Sequence, residues 1–293
     1  MGRQIYAAIA DGILEGGVYA LMAVGLTLIF GVLDIINIAQ GILVVTGAYL
    51  SYVLSVHLHI DLFLGLLVTV PAMFILGLGI YWAFIRPLRG RERTSMSLLA
   101  CYAVAIIIEG VLYWIFGANE ETLHASYITD SFRVFGFYLS DIYVYGFILA
   151  VALVIGLYLL LYRTKFGRSV RATMQDQTAA RLIGIQVNKV AGLTFAIGVA
   201  VTAAGGMMFG ATSGGFTPNS GYDLISRLLA IIILGGLGSI GGALVASVFM
   251  ITLESLVDIW SPNWAIVVFY LALVIVLTVR PTGMFGRQPV RAQ

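Results

Sequence analysis

Residues 235–242, Gly-Gly-Leu-Gly-Ser-Ile-Gly-Gly, contain the spacing G-x-G-x-x-G from Gly236 to Gly241. In dinucleotide-binding enzymes this spacing lets backbone amides approach a pyrophosphate, and an acid about 20 residues later binds the ribose. Glu254 and Asp258 lie near that distance. The spacing therefore suggests nucleotide binding, and the secondary structure on either side of the glycines decides whether a nucleotide site is present.

The composition is that of a membrane protein. Of the 293 residues, 60% are hydrophobic and 10% are charged, with a mean hydropathy of +1.01, whereas a soluble domain has about 25% charged residues. Crossing a bilayer as a helix takes about 20 apolar residues. Such runs occur at 5–31, 35–57, 62–85, 96–117, 142–162, 190–213 and 263–280, with a longer interrupted run over 229–257. We predict an all-α polytopic membrane protein with about eight membrane segments, forming a single transmembrane domain over 1–293.

Most of the basic residues fall in three stretches. These contain Arg86, Arg89, Arg91 and Arg93, then Arg163, Lys165, Arg168, Arg171, Arg181 and Lys189, and finally Arg280, Arg287 and Arg291. The positive-inside rule predicts that all three are cytoplasmic, including the C-terminal tail. The segment between the first two stretches carries Glu120, Glu121, Asp130 and Asp141 against Arg133. We interpret it as an external loop, either simply solvated or suited to docking a soluble partner.

This charge pattern requires the chain to reverse within 229–257. Lys189 and the C-terminal tail are both predicted to be inside. The span 190–213 leads from Lys189 to the outside, and the span 263–280 leads from the outside to the tail, so the run between them must begin and end outside. Glycine permits such a turn because it accepts left-handed dihedrals. Irregular backbone at membrane depth is tolerated only inside protein or along a water-filled cavity, so we predict that the turn is buried near the middle of the protein. Membrane segments flank it instead of a βαβ unit, which argues against a dinucleotide site.

A similar interruption occurs in the first half of the chain. Residues 26–50 form an apolar run broken around Asn37 to Gly41, and 228–250 would be the second copy. Each copy is followed by one further span and an Arg-Pro exit, at Arg86 and at Arg280. The pattern predicts a two-fold internal repeat, as in transporters whose route lies between discontinuous helices. Chance similarity between apolar segments is the alternative.

The two interruptions supply the candidate residues of a translocation path. They are Asn37, Gln40, Gly41, Gly236, Gly238, Ser239 and Gly241. For Asn37 and Gln40, an alternative is that the amides only form hydrogen bonds between helices. The acids Asp11, Glu15 and Glu109 lie inside predicted spans and are functional candidates for that reason, a proton relay being one possibility.

The segment 163–190 is polar and basic, and it is predicted to be cytoplasmic. Val170 to Ile183 has the composition of a helix that ends at Gly184. It carries too few apolar residues for burial, so we expect it to lie exposed and to dock on a partner. Thr178-Ala179-Ala180, followed after three residues by Gly184, resembles the EAA loop of bacterial ABC importer permeases, with Thr178 in place of the usual Glu. The resemblance implies that the helix over about 171–184 couples to an ATPase through Arg171, Asp176, Thr178, Ala179, Ala180 and Gly184.

The chain as a whole, from about Gly17 to Gly283, is similar to LivH-type permeases of branched-chain amino acid ABC transporters. The resemblance is carried by GLTLIFGVLDIINIAQG, RATMQDQTAARLIGIQVNKV and AIIILGGLGSIGGALVAS, with Gln40 where the family often has His. It implies a permease domain that is not an enzyme and holds no cofactor, metal or nucleic acid. ATP and Mg would belong to two ABC ATPase subunits. The other implied partners are a second, LivM-like permease, a periplasmic or lipoprotein solute-binding protein, and the lipid bilayer of the bacterial inner membrane.

Two other functional classes remain possible from the residues alone. A secondary transporter would need no ATPase, and an intramembrane enzyme would need a catalytic constellation. The solute also stays open among branched-chain amino acids, urea, short amides and aromatic or aliphatic carboxylates.

Overall fold

The computed structural model describes residues 2–88, 93–129, 131–134 and 137–286. Several predicted charges, namely Arg89, Arg91, Asp130, Arg287 and Arg291, lie outside this described part. The helices are α1 Gly2–Leu33, α2 Gln40–Leu58, α3 Leu62–Ile80 with a π-helical continuation Tyr81–Ile85, α4 Arg93–Phe116, α5 Ser126–Thr129, α6 Asp141–Arg163, α7 Lys165–Gln175, α8 Gln177–Leu182, α9 Val187–Thr212, α10 Ser220–Gly235, α11 Ile240–Asp258 and α12 Pro262–Val279. Two short strands, β1 Ser131–Val134 and β2 Phe137–Ser140, pair in an antiparallel hairpin between α5 and α6.

Eight helices are long and apolar enough to cross a bilayer. They are α1, α2, α3 with its continuation, α4, α6, α9, α11 and α12. The fold class predicted from composition, a polytopic all-α membrane protein, is confirmed. The interrupted run at 229–257 is divided between α10, which has 16 residues, and α11, which has 19.

The centre of the bundle is formed by α1 and α9. Their most apolar windows are 89% and 83% buried within the protein, against 22% for α4 and α6 and 17% for α12. Close packing at the centre depends on small residues. A Cβ on Gly25 would meet the Gly198 carbonyl oxygen, and one on Gly206 would meet the Val44 carbonyl oxygen. Helices α1, α2 and α9 are thus held at backbone contact, and they enclose the first interruption.

The two ends of the bundle differ in charge. At one end, Tyr81 and Trp82 of α3 lie beside Gly192 near the start of α9, and α7 and α8 join α6 to α9. We call this the basic end, because its described charges include Arg86, Arg163, Lys165, Arg168, Arg171, Arg181, Lys189 and Arg280. At the other end, the start of α1 packs on the last turns of α11, with Gly12 against Thr252. We call this the acidic end, because Asp11, Glu15, Asp61, Glu120, Glu121, Asp223, Glu254 and Asp258 lie there.

Helices α10 and α11 form the hairpin that the charge pattern predicted. Only residues 236–239 join them, and they pack against each other along their lengths. The predicted reversal of the chain within 229–257 is therefore confirmed. Helix α10 runs to the basic end, and α11 returns from the turn to the acidic end. Helix α12 therefore begins at the acidic end and leads to Arg280 at the basic end.

Candidate functional site

The first interruption, residues 34–39, is a short non-helical segment enclosed by the central helices. It begins at Asp34, whose φ of 56° is left-handed and ends α1. Ile35, Asn37 and Ala39 are all buried. The N–H of Gln40 donates to the Asn37 carbonyl at 3.1 Å, and Cys101 of α4 lies beside the backbone of Ile38. Part of the backbone between α1 and α2 is thus paired within the segment itself.

The buried amides predicted as path residues form a chain of hydrogen bonds across this interruption. Asn37 Nδ2 donates to Gln40 Oε1 at 3.0 Å, and Gln40 Nε2 donates to Thr202 Oγ1 on α9. Thr202 Oγ1 in turn donates to the Gly198 carbonyl at 2.8 Å. This geometry matches the interhelical hydrogen bonds of the alternative interpretation. A role for Asn37 and Gln40 in the path stays a prediction, and Asn37 Oδ1 remains an unpaired buried acceptor among the described residues.

The glycine turn between α10 and α11 requires glycine at two positions. Gly236 has φ of 95° and Gly238 has φ of 80°, both in the left-handed region. The Ser239 N–H donates to the Gly236 carbonyl at 3.0 Å, and Ser239 Oγ accepts from the Gly242 N–H at 3.1 Å, which caps α11. Around Gly241, by contrast, a Cβ would meet nothing within 4 Å. The helix α10 precedes the motif where a dinucleotide site needs a strand.

The predicted depth of this turn, near the middle of the protein, is wrong, although Gly235, Gly236 and Gly242 are buried as predicted. The turn lies at the basic end, where Leu237 is 42% exposed. The Met284 N–H donates to the Leu234 carbonyl at 2.7 Å, and the Phe285 N–H donates to the Gly235 carbonyl at 3.2 Å. The segment after α12 therefore satisfies the carbonyls that α10 leaves open. At about 1.5 Å per residue, helix α10 is long enough to extend past the middle of the membrane, so the turn at its end lies beyond that depth.

Gly41, the remaining path candidate, lies at the other end of α10. A Cβ on Gly41 would meet the Gly221 carbonyl oxygen and Ile225. The first turn of α2 and the first turn of α10 therefore touch through their backbones. Among the path candidates, Asn37, Gln40 and Gly41 lie together, whereas Gly236, Gly238, Ser239 and Gly241 lie apart from them at the basic end.

The predicted coupling helix is two helices instead of one. Helix α7 already begins at Lys165, where Thr164 Oγ1 accepts from the Gly167 N–H at 3.0 Å. It ends before Asp176. Asp176 Oδ1 accepts from the N–H groups of Thr178 and Ala179 at 2.7 and 3.0 Å, and Asp176 is thereby the N-cap of α8. A continuous helix over 171–184 is thus replaced by a break at Asp176, because an Asp in extended conformation caps the second helix.

The predicted coupling residues have different surroundings. Arg171 lies over the Tyr162 ring at 4.6 Å, and Thr178 and Ala179 are exposed. Ala180 is 2% exposed and faces the protein. Gly184 has φ of 84° and ends α8, as the sequence predicted, with the Ile185 N–H donating to the Ala180 carbonyl at 3.0 Å.

Helices α7 and α8 contact both interruptions through the end of α1. Gln177 Nε2 donates to the Val32 carbonyl at 3.0 Å. The Met174 methyl group lies where a Cβ on Gly31 would be, and a Cβ on Gly238 would come within 3.6 Å of the Gly31 Cα. The end of α1 is thus held between α7 and the glycine turn.

Among the acids inside the spans, Glu109 has a hydrogen-bond partner, whereas Asp11 and Glu15 lie near a charged pair. Glu109 Oε2 accepts from the Tyr222 hydroxyl at 2.7 Å. Asp11 and Glu15 lie at the acidic end beside an ion pair in which Arg227 Nη1 approaches Glu254 Oε2 at 2.8 Å. Asp223 and Arg227 were not among the sequence candidates. Their spacing of four residues on a helix that begins outside the apolar run would have indicated them.

Comparison with known proteins places the chain in a family. A sequence profile described as the permease component of a branched-chain amino acid transport system matches residues 8–277. The chain belongs to this family. The LivH resemblance seen in the sequence is thereby confirmed, and the protein is a permease component of a membrane transport system.

Members of the permease family align along almost the whole chain. The permease protein BraD of Pseudomonas aeruginosa, from a high-affinity branched-chain amino acid transport system, is 28% identical over 96% of both chains. The corresponding LivH of Salmonella typhimurium is 28% identical over 96% of this chain and 95% of its own. A probable LivH permease of Methanocaldococcus jannaschii is 30% identical over 94% of this chain and 92% of its own. No solved structure matches this permease at a significant level.

Substitutions in the glycine turn will separate required glycines from tolerated ones. We expect Gly238→Ala to lower stability by about 1–2 kcal/mol, since an L-residue is strained at positive φ. Gly236→Ala should cost more, because its Cβ would also meet the Gly286 backbone. Gly241→Ala is the matched control and should be neutral or slightly stabilising. Thermal unfolding of the purified variants in one detergent measures this, and equal loss at Gly238 and Gly241 would contradict the assigned geometry.

A double-mutant cycle will test the chain of buried hydrogen bonds. Gln40→Leu and Thr202→Val should each lower stability by about 1–3 kcal/mol, because each leaves a buried polar partner unpaired. The double variant should lose less than the sum, since the two residues share one bond. Thr46→Val is the control, because Thr46 Oγ1 donates only to the Ile42 carbonyl of its own helix. Additive losses would show that the two side chains do not interact.

Proposed function

We propose that this permease is one of two membrane subunits of an ATP-driven importer for branched-chain amino acids or a related small amino acid, amide or carboxylate. A second, LivM-like permease completes the path. Two ABC ATPase subunits bind ATP and Mg at the basic end, and a periplasmic or lipoprotein solute-binding protein delivers the solute to the acidic end. The bilayer is the bacterial inner membrane, with the C-terminus in the cytoplasm, in agreement with the positive-inside rule.

The exposed helix α8 is the observation that carries this proposal. Leu182 is 84% exposed and Ile183 is 74% exposed, although both lie outside the spanning helices. Apolar side chains that face neither the core nor the lipid are typical of a protein interface. Helices α7 and α8 also carry the basic residues Lys165, Arg168, Arg171 and Arg181. An exposed helix of this kind outside the membrane favours a permease driven by a docked ATPase over a secondary transporter.

The contacts of α7 and α8 give the proposed coupling a physical route. Movement of α8 is transmitted to α1 by the hydrogen bond from Gln177 to the Val32 carbonyl. Movement of α7 reaches the glycine turn through Met174 and Gly31. When ATP closes the ATPase subunits, α8 follows them, and the ends of α1 and of the α10–α11 hairpin are displaced together.

At the acidic end, a hydrogen bond ties the loop around α5 to α3. The Tyr127 hydroxyl donates to Asp61 Oδ2 at 2.9 Å, while Asp61 Oδ1 caps α3 by accepting from the Phe63 N–H. Burial, together with this bond, raises the pKa of the Tyr127 phenol above its ordinary value. The Glu121–Phe216 backbone bridge joins the same loop to the segment after α9. These contacts join the described part of this loop to α3 and to the segment after α9, at the end to which a binding protein would deliver the solute.

Reconstitution of the complete transporter tests the proposed function. The permease, its partner permease, the ATPase subunits and the binding protein are assembled in liposomes. We expect labelled leucine to be taken up when ATP is enclosed with the ATPase subunits, and uptake to persist when ionophores collapse the ion gradients. A preparation without the ATPase subunits is the control. Uptake by this chain alone, driven by an ion gradient, would establish a secondary transporter instead.

Polar substitution on α8 tests the docking surface. Leu182→Gln with Ile183→Gln should reduce co-purification of the ATPase subunits and coupled uptake at least tenfold, while the amount of inserted permease stays unchanged. The control is Val279→Gln, since Val279 is 75% exposed at the same end but lies on α12. Full assembly and uptake in the α8 double variant would remove the basis for the proposed docking.

A further inference from the structure

A cavity of about 420 Å³ opens at the acidic end between α1, α9, α10 and α11. Its volume is in the range of sites for small organic molecules. Three apolar side chains, Phe209, Leu224 and Ile251, line one part of it. The remainder is lined by the polar residues Glu15, Tyr19, Ser220, Asp223, Arg227, Glu254, Ser255 and Asp258.

The charged groups come from three helices and carry both signs. Four carboxylates and one guanidinium leave a formal charge of −3. Arg227 Nη1 is bonded to Glu254 Oε2 at 2.8 Å, with the two side chains 24% and 15% exposed. A guanidinium has five N–H donors in a fixed plane, so Arg227 retains donors for a second carboxylate. Glu15, Asp223 and Asp258 are left as acceptors for a positive group.

Tyr19 adds a donor without an assigned task. Its side chain is 8% exposed and lines the cavity. A phenol hydroxyl can donate one hydrogen bond and can also accept. A ligand in the cavity can accept a hydrogen bond from Tyr19, next to the free donors of Arg227.

The carboxylates are not arranged for a metal ion. Among the described residues, no group of three or more His, Cys, Asp or Glu side chains is placed to hold one. An ammonium group makes weaker geometric demands, because it donates three hydrogen bonds from a compact charge. The positive group that suits this cavity is therefore an organic ammonium.

We propose that this cavity binds an α-amino acid as a zwitterion. The ligand carboxylate bonds to Arg227 and Tyr19, the ammonium group lies among Glu15, Asp223 and Asp258, and the aliphatic side chain packs on Phe209, Leu224 and Ile251. The inference rests on the proposed function and narrows its solute, because urea, amides and simple carboxylates lack the ammonium group. The cavity opens at the end to which solute is delivered.

Direct binding to the purified complex tests this assignment. The full transporter without binding protein is placed in lipid nanodiscs, and the probes are leucine, 4-methylpentanoate, which lacks the ammonium group, and 3-methylbutylamine, which lacks the carboxylate. We expect each analogue to bind at least tenfold more weakly than leucine. Asp223→Asn with Asp258→Asn should weaken leucine binding at least tenfold and leave 4-methylpentanoate binding no weaker. A purely structural defect would weaken both ligands alike.

Glu120→Gln is the matched control, because Glu120 is an exposed acid at the same end but outside the cavity. It should leave the ratio of leucine to 4-methylpentanoate binding unchanged. The proposal is overturned if the complex binds no leucine at millimolar concentration, or if the double variant keeps the wild-type ratio. ATP-dependent uptake by the wild-type complex is measured separately, so the importer can stand while this site fails. Conversely, absent uptake with intact binding would overturn the importer alone.

Discussion

Every backbone amide at bilayer depth needs a partner inside the protein, since lipid offers none. A continuous helix meets this requirement by itself, and each interruption of a helix must meet it with other groups. The permease has two such interruptions, and it satisfies them in different ways. At the first interruption a side chain takes part, because Gln177 Nε2 of α8 donates to the Val32 carbonyl at the end of α1. At the glycine turn the partner is backbone, because residues 284 and 285 donate to the end of α10.

This difference explains which parts of the structure could be predicted from the sequence. The reversal at the glycines followed from the distribution of Lys and Arg, which is a property of the whole chain. The depth of the turn could not be predicted from that distribution, because it depends on contacts with Met284 and Gly286, about 50 residues away. Asp176 carried a local capping pattern, yet the helical composition around it favoured a continuous helix. Arg227 was missed because its partners, on α1 and α11, become neighbours only in the folded protein.

The buried amides illustrate a limit of the same kind. Their types and spacing predicted either a path or a set of interhelical hydrogen bonds. In the structure Asn37 and Gln40 are 1% and 0% exposed, and their bonds lead to Thr202. Removing such a bond leaves buried groups unpaired, which costs more than the bond itself contributes. The start of α2 is therefore tied firmly to α9, and this makes it a suitable reference against which other helices can move.

The α10–α11 hairpin contacts the end of α1 at its turn and the start of α2 at the beginning of α10. At the basic end Gly238 lies against Gly31, beside Met174 of α7, and nearer the acidic end Gly221 lies against Gly41. Backbone contacts between glycines leave no flexible side chain to absorb a displacement. A shift of the turn, driven from α7, must therefore appear as a shift of α10 against the start of α2. Arg227 is also on α10, so the same shift moves Arg227 relative to Phe209, which lines the same cavity from α9. A movement that begins at the basic end would in this way open or close the cavity at the acidic end.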